Sequence, residues 1–194
     1  VLHQQLEDML EWCYRCPFSL EYMGDTAENL AAEYDYQRDA MDEYALRSQE
    51  LALKAIASGF FAKQIHPVTI PEGKGSATFA VDESPRAGLT ASKLASLRPA
   101  FQENGCVTAG NASGVTDGAA AIIVGNRAAM ASKNIQPIAK LIDWTVVGVE
   151  PSLMGHGPVP AIQQLLERVG LSIGDIDYFE VNEAFAVVAM AAMR

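Results

Sequence analysis

"GAAAIIVG", residues 118–125, is apolar from end to end, and its reading decides the fold. A half-buried strand alternates apolar and polar residues, whereas a short unbroken apolar run bounded by turn residues suits a strand buried on both faces. Beyond it, "NRAAMASKN" has helical spacing and "IAKLIDWTVVGV" reads as extended. "PAIQQLLERVG" reads as a helix with Pro160 at its start and Gly170 at its end, "IDYFEV" as extended, and "EAFAVVAMAAM" as helical again. Strand and helix alternate from residue 116 onward, which predicts an α/β layered sheet buried on both faces. Three strands do not close such a sheet.

Upstream the style differs. Asp25 with Glu28 forms a capping box, and Ala27, Leu30, Ala31 and Tyr34 follow at helical spacing, predicting a helix over 26–34. Asp39 with Asp42 opens a longer pattern through Met41, Tyr44, Ala45, Ser48, Ala52 and Ala55, which Gly59 ends. In "IHPVTIPEGKGSATFAVDES" two β-branched runs, 65–70 and 77–81, flank Pro71, Gly73 and Gly75, as in a hairpin. A short helix is expected over 92–97. Residues 1–115 therefore read as an α+β covering domain rather than a stand-alone core.

The chain has 194 residues, 49% of them hydrophobic, as in a globular protein. No apolar run approaches the roughly 20 residues that span a bilayer, and the N-terminus lacks a signal pattern, so a soluble protein of the cytoplasm or an organelle matrix is expected. The net charge is -10, but residues 1–50 hold 12 acids against 3 bases while residues 51–133 hold 8 bases against 5 acids. An acidic lid beside a mildly basic middle permits a small phosphorylated ligand; a nucleic acid would need a basic stripe that is absent. Three cysteines argue for a reducing compartment. Cys13 and Cys16 form a C-x-x-C, yet a structural zinc needs two more ligands, and only Cys106 and the isolated His3, His66 and His156 are on offer. The expectation is two adjacent thiols and no metal.

Three stretches can carry chemistry. In "TAGNASGVTDGAAA" (108–121), Gly110, Gly114 and Gly118 admit a ligand to the backbone, and Asn111, Ser113 and Thr116 offer hydrogen bonds. It lacks the spacings of a dinucleotide or P-loop site, and it also suits a plain connection. "MGHGPVPA" (154–161) is a rigid turn before a helix, and its His156, with no identifiable partner, reads as a surface residue. In "VNEAFA" (181–186), Asn182 either caps a helix over 183–193 or turns its amide into a site at a strand end. Spacing alone leaves both open.

In this order and at these separations, "MGDTAENLA", "DEYALRSQELALKA", "LRPAF", "GCVTAGNASGVTDGAAA", "MGHGPVPA" and "VNEAFA" resemble the thiolase family of acyl-CoA acyltransferases, from about residue 14 to the C-terminus. The resemblance implies a five-layered α/β/α/β/α fold with a loop domain over the site. Residues 1–115 would be the loop domain, 116–136 the end of the N-terminal half and 137–194 the start of the C-terminal half. It implies acyl transfer through a cysteine: the thiolate takes the acyl group of a 3-ketoacyl-CoA, acetyl-CoA leaves, and coenzyme A removes the acyl group, or the reverse. Coenzyme A and its thioesters are then substrates rather than bound cofactors, and the intact protein is expected as a homodimer or homotetramer.

Residue by residue, the resemblance makes Asn182 the holder of a water in the oxyanion hole, with Ala184 and Phe185 walling the same cavity. Ala112, Ser113 and Gly114 would meet pantetheine, with Ala109 and Phe101 beside them. Arg86 would stand near the adenylate phosphates, and Met23 and Met154 would line the acyl pocket. Tyr22 stands where short-chain members often carry histidine, and "LEWCYRCPFSLEY" matches no subfamily pattern, so chain-length preference is not assigned.

Cys13, Cys16 and Cys106 sit in no catalytic motif of that family. The expectation is that the nucleophile precedes Val1, that the catalytic histidine and second cysteine follow Arg194, and that this chain alone does not turn over. The uncapped apolar end at Arg194 reads as breakage of a longer chain. The other readings are a non-catalytic CoA-binding or assembly subunit of a split complex and a truncated, inactive paralogue.

Overall fold

The computed structural model describes residues 9–73 and 75–194. Its helices are α1 (Met9–Cys13), α2 (Met23–Glu33), α3 (Arg38–Ala57), α4 (Ala91–Ala95), α5 (Arg127–Ser132), α6 (Pro158–Val169) and α7 (Ala186–Ala192). The strands β1 (Val68–Glu72) and β2 (Gly75–Phe79) pair antiparallel, Val68 opposite Phe79. His3 lies outside the described residues.

Helix α2 begins earlier than the capping box suggested. Asp25, in its first turn, accepts the backbone N–H of Tyr22 at 3.0 Å, so the cap lies one turn upstream and Glu28 takes no part in it. Helix α3 likewise starts at Arg38, with Gln37 as its N-cap. Its Asp42 is buried and ion-paired with Arg38 at 2.7 Å instead of capping. The hairpin forms near the expected place, and Thr90 and Asn126 cap α4 and α5 with their side chains.

The core lies where α2, α3 and α7 meet. Leu30 of α2, Met41 of α3, Val187 of α7 and Val107 of the connecting segment are fully buried, with Ala27, Ala31, Ala186 and Ala191 filling between them. Small residues at these positions let three helices approach closely, and each large one contributes about 2–3 kcal/mol through burial. Gly155, in the 3-10 turn Pro151–His156, touches the same core: a Cβ there would stand 2.9 Å from Leu30 Cδ2 and from Val188 Cγ2. Only glycine lets this turn lie flat on α2 and α7.

The extended runs 118–125, 138–149 and 176–181 depart from expectation. Among the described residues none of them pairs into a ladder, and the only sheet is β1–β2. Their apolar side chains stand open, with Ile123 94%, Ile138 105% and Tyr178 92% exposed. A strand is a property of two backbones, and an apolar sequence without a facing partner satisfies neither its ladder nor its burial.

Candidate functional site

Between α2, the turn Pro151–His156 and the segment leading into α7 lies an apolar cavity of ≈ 200 Å³. Met23, Thr26 and Ala27 line it from α2, Met154, Gly155 and Pro158 from the turn and the start of α6, and Asn182, Ala184, Phe185 and Val188 from the α7 side. Five of the expected residues, Met23, Met154, Asn182, Ala184 and Phe185, thus meet in one place. A larger but open depression of ≈ 370 Å³, between α3 and the end of α7, holds none of them.

Asn182 is not a helix cap. Helix α7 starts at Ala186 and its N-cap is Phe185, so the amide of Asn182 sits three residues ahead of that cap, at the cavity wall. Asn182 is exposed and lines a wall that is otherwise apolar but for Thr26; an amide at such a place can orient one polar atom, a water or a carbonyl oxygen, by hydrogen bonding.

The loop 108–114 adjoins this wall through the backbone. Ala112 and Phe185 form an antiparallel bridge, the N–H of Ser113 donates to Ala184 O at 2.9 Å, and the N–H of Ala186 donates to Asn111 O at 2.8 Å. The Phe101 ring packs edge-on against Phe185 with centroids 6.3 Å apart. It also lies over Gly24, where any Cβ would fall inside the ring. Phe101, Ala112 and Ser113 therefore sit one residue behind the cavity lining. Ala109 and Gly114 are exposed and outside it. Arg86 is exposed as well, tied by its backbone N–H to Gln49 Oε1 at 2.9 Å, and is not part of the cavity.

Buried polar groups hold the loop in place. Glu28 is 6% exposed; its carboxylate accepts the N–H groups of Cys106 and Val107, both at 2.8 Å, and the Cys106 thiol at 3.0 Å. Burial, and then the Glu28 carboxylate, push the Cys106 thiol up to about 12, so this cysteine is a neutral donor and a poor nucleophile. Asn111, 3% exposed, donates to Asp42 Oδ1 and to Cys106 O, each at 2.9 Å, and accepts the Thr108 N–H at 2.8 Å. Hydrogen bonds from Ser19 and Phe18 hold the Cys16 thiol below its ordinary value. Cys13, Cys16 and Cys106 all lie outside the cavity lining, and the described residues contain no group of three or more His, Cys, Asp or Glu placed to hold a metal ion.

His156 is half-buried rather than a surface residue without a partner: its Nδ1 is 2.8 Å from the Tyr34 hydroxyl. Sequence reasoning missed Thr26, Ala27, Gly155, Pro158 and Val188 as cavity residues, although the first four belong to the stretches "MGDTAENLA" and "MGHGPVPA" that it singled out. It also missed the partners of Glu183, whose carboxylate accepts the hydroxyls of Tyr44 and Ser48; helical spacing carries no sign of a hydrogen bond so distant in sequence.

Comparison with known proteins shows the family. The family model described as "Thiolase, N-terminal domain" matches residues 2–128, and "Thiolase, C-terminal domain" matches residues 135–194. The chain is 46% identical over 190 residues to a beta-ketothiolase of Cupriavidus necator, covering 97% of this chain and 48% of that protein. The crystal structure of the Bacillus anthracis acetyl-CoA acetyltransferase superposes with a TM-score of 0.94 at 46% identity, over 99% of this chain and 49% of that one. Human mitochondrial 3-ketoacyl-CoA thiolase in complex with CoA superposes with a TM-score of 0.90 at 42% identity, over 97% and 47%. The chain spans about half the length of the relatives it matches. Among the described residues no helix is long and apolar enough to cross a membrane.

Proposed function

Because the chain belongs to the thiolase family, we propose that it carries the acyl pocket and the oxyanion-side wall of an acyl-CoA acyltransferase that exchanges acyl groups between 3-ketoacyl-CoA and coenzyme A. The observation that carries this reading is the amide of Asn182 in an apolar cavity with Met23, Met154 and Phe185. The apolar lining suits an acyl chain, and the single amide suits the one oxygen on which charge develops during acyl transfer. Ser113, whose N–H is bonded to Ala184 O, and its neighbours Ala112 and Gly114 offer the pantetheine arm a backbone edge next to that wall. Phe101 packs behind it, Ala109 flanks it, and exposed Arg86 would meet phosphate at the surface.

The nucleophilic cysteine of such a reaction is assigned to parts of the whole enzyme outside this chain, since none of the three cysteines here lines the cavity. The division into a covering domain over 1–115, a connecting piece over 116–136 and a second half from 137 is part of the same proposal. Only its second boundary has support, in the gap between the two family matches, 128 to 135. Assembly into dimers or tetramers is likewise proposed for the whole enzyme. Asn182→Ala in the full-length enzyme is expected to lower kcat for thiolysis of acetoacetyl-CoA by on the order of a hundredfold. Turnover equal to the parent's would remove Asn182 from the mechanism.

A further inference from the structure

Asn182 has no hydrogen-bond partner of its own among the described residues, yet an amide that orients a reacting oxygen must be held to within a fraction of an ångström. Its neighbour supplies the anchor. The Tyr44 hydroxyl donates to Glu183 Oε1 at 2.6 Å, and the Ser48 hydroxyl donates to Glu183 Oε2 at 2.5 Å. Tyr44 and Ser48 lie four residues apart on α3, hence on one face of the helix. Each oxygen of the carboxylate takes one hydroxyl, so the side chain is fixed in rotation as well as position.

The same helix holds the opposite side of the wall. Two residues before Tyr44, Asp42 Oδ1 accepts from Asn111 at 2.9 Å, and Asn111 O accepts from Ala186 N at 2.8 Å. The peptide 182–186 is thus hung on α3 at both ends, directly through Glu183 and indirectly through Asn111. We infer that Tyr44 and Ser48 are positioning residues for the reaction, setting the Asn182 amide in the cavity through the Glu183 carboxylate. This rests on the acyl-transfer reading of the cavity. A tether that only stabilised α7 would more simply act at its first turn, but Glu183 lies ahead of the Phe185 N-cap, on the residue next to the amide.

The test is a cycle in the full-length enzyme with acetoacetyl-CoA and coenzyme A. Tyr44→Phe with Ser48→Ala removes both hydroxyls while keeping the ring and the Cβ. The expected result is a kcat about tenfold lower with KM within about twofold, because a misplaced group weakens the transition state more than ground-state binding. In the Asn182→Ala background the same pair should cost less than about twofold, since the group it positions is gone. An unchanged kcat in the first background, or a further tenfold loss in the second, overturns the inference. If Asn182→Ala is itself silent, the acyl-transfer reading fails and this inference with it. If Asn182→Ala is impaired while the hydroxyl pair is silent, only this inference fails.

Discussion

Glu28→Ala should loosen the loop beneath the cavity wall, and the size of the effect follows from what the carboxylate now satisfies. It accepts two backbone N–H groups at 2.8 Å, and one of them belongs to Val107, which is fully buried. Removing the acceptor leaves both donors without a partner, at about 1–3 kcal/mol each, and bonds to a charged acceptor lie toward the upper end. The local cost is about 3–4 kcal/mol. Glu28→Gln keeps the shape and one acceptor oxygen but turns an NH2 toward one of the donors, so about half that loss is expected. Hydrogen exchange of the full-length enzyme, followed in peptides covering 105–112, reads this directly: about 3 kcal/mol corresponds to roughly a hundredfold faster exchange at 106 and 107. Exchange at those amides unchanged in Glu28→Ala would refute the reasoning, because another acceptor would have to hold them.

Gly24→Ala places a methyl group inside the Phe101 ring, so the ring must leave its edge contact with Phe185; overpacking of about 1–3 kcal/mol is expected. In the full-length enzyme it should appear as a raised KM for coenzyme A, and an unaltered KM would separate Phe101 from the binding wall. Cys106, pushed up to about 12 from an ordinary 9.0, keeps its proton in the folded protein where the unfolded chain would release it. Its contribution to stability is therefore full below pH 9.0 and is lost as pH rises through about 12. Iodoacetamide at pH 8 should modify Cys16, whose thiol is held below its ordinary value, well before Cys106; the reverse order in a peptide map would contradict the buried Cys106–Glu28 bond.

How much of this was legible in the sequence depended on the range of the interaction. Helices were legible because their signals are local: Ala27, Leu30 and Ala31 on one face of α2, and Met41 and Ala45 on α3, are spaced as burial requires and are buried. The capping boxes misled because Glu28 and Asp42, the acids assigned as closing partners, are consumed by the distant groups Val107 and Asn111. Nothing within a four-residue window distinguishes a capping carboxylate from one that reaches across the fold. The unbroken run 118–125 was recognisable as strand-like, yet its pairing needs a second backbone, and none faces it among the described residues. The TM-score of 0.94 against the Bacillus anthracis enzyme shows that the chain nonetheless follows the thiolase path.

The site shows the same divide. Met23 lies well over a hundred residues from Met154 and Asn182, and only the resemblance to a family could bring the three to one cavity ahead of the fold. What that resemblance could not supply is the support behind them. Gly24 and Gly155 stand in the quoted stretches with no chemistry of their own, but they let Phe101, Leu30 and Val188 approach. Tyr44 and Ser48 look like ordinary positions on the half-buried face of α3, but they hold Glu183. Residues that touch a ligand can be read from a motif because their chemistry restricts their type. Residues that hold those in place are restricted by geometry, and Tyr44→Phe would take one oxygen from the stretch "DEYALRSQELALKA" while removing one of the two bonds that hold the carboxylate beside Asn182.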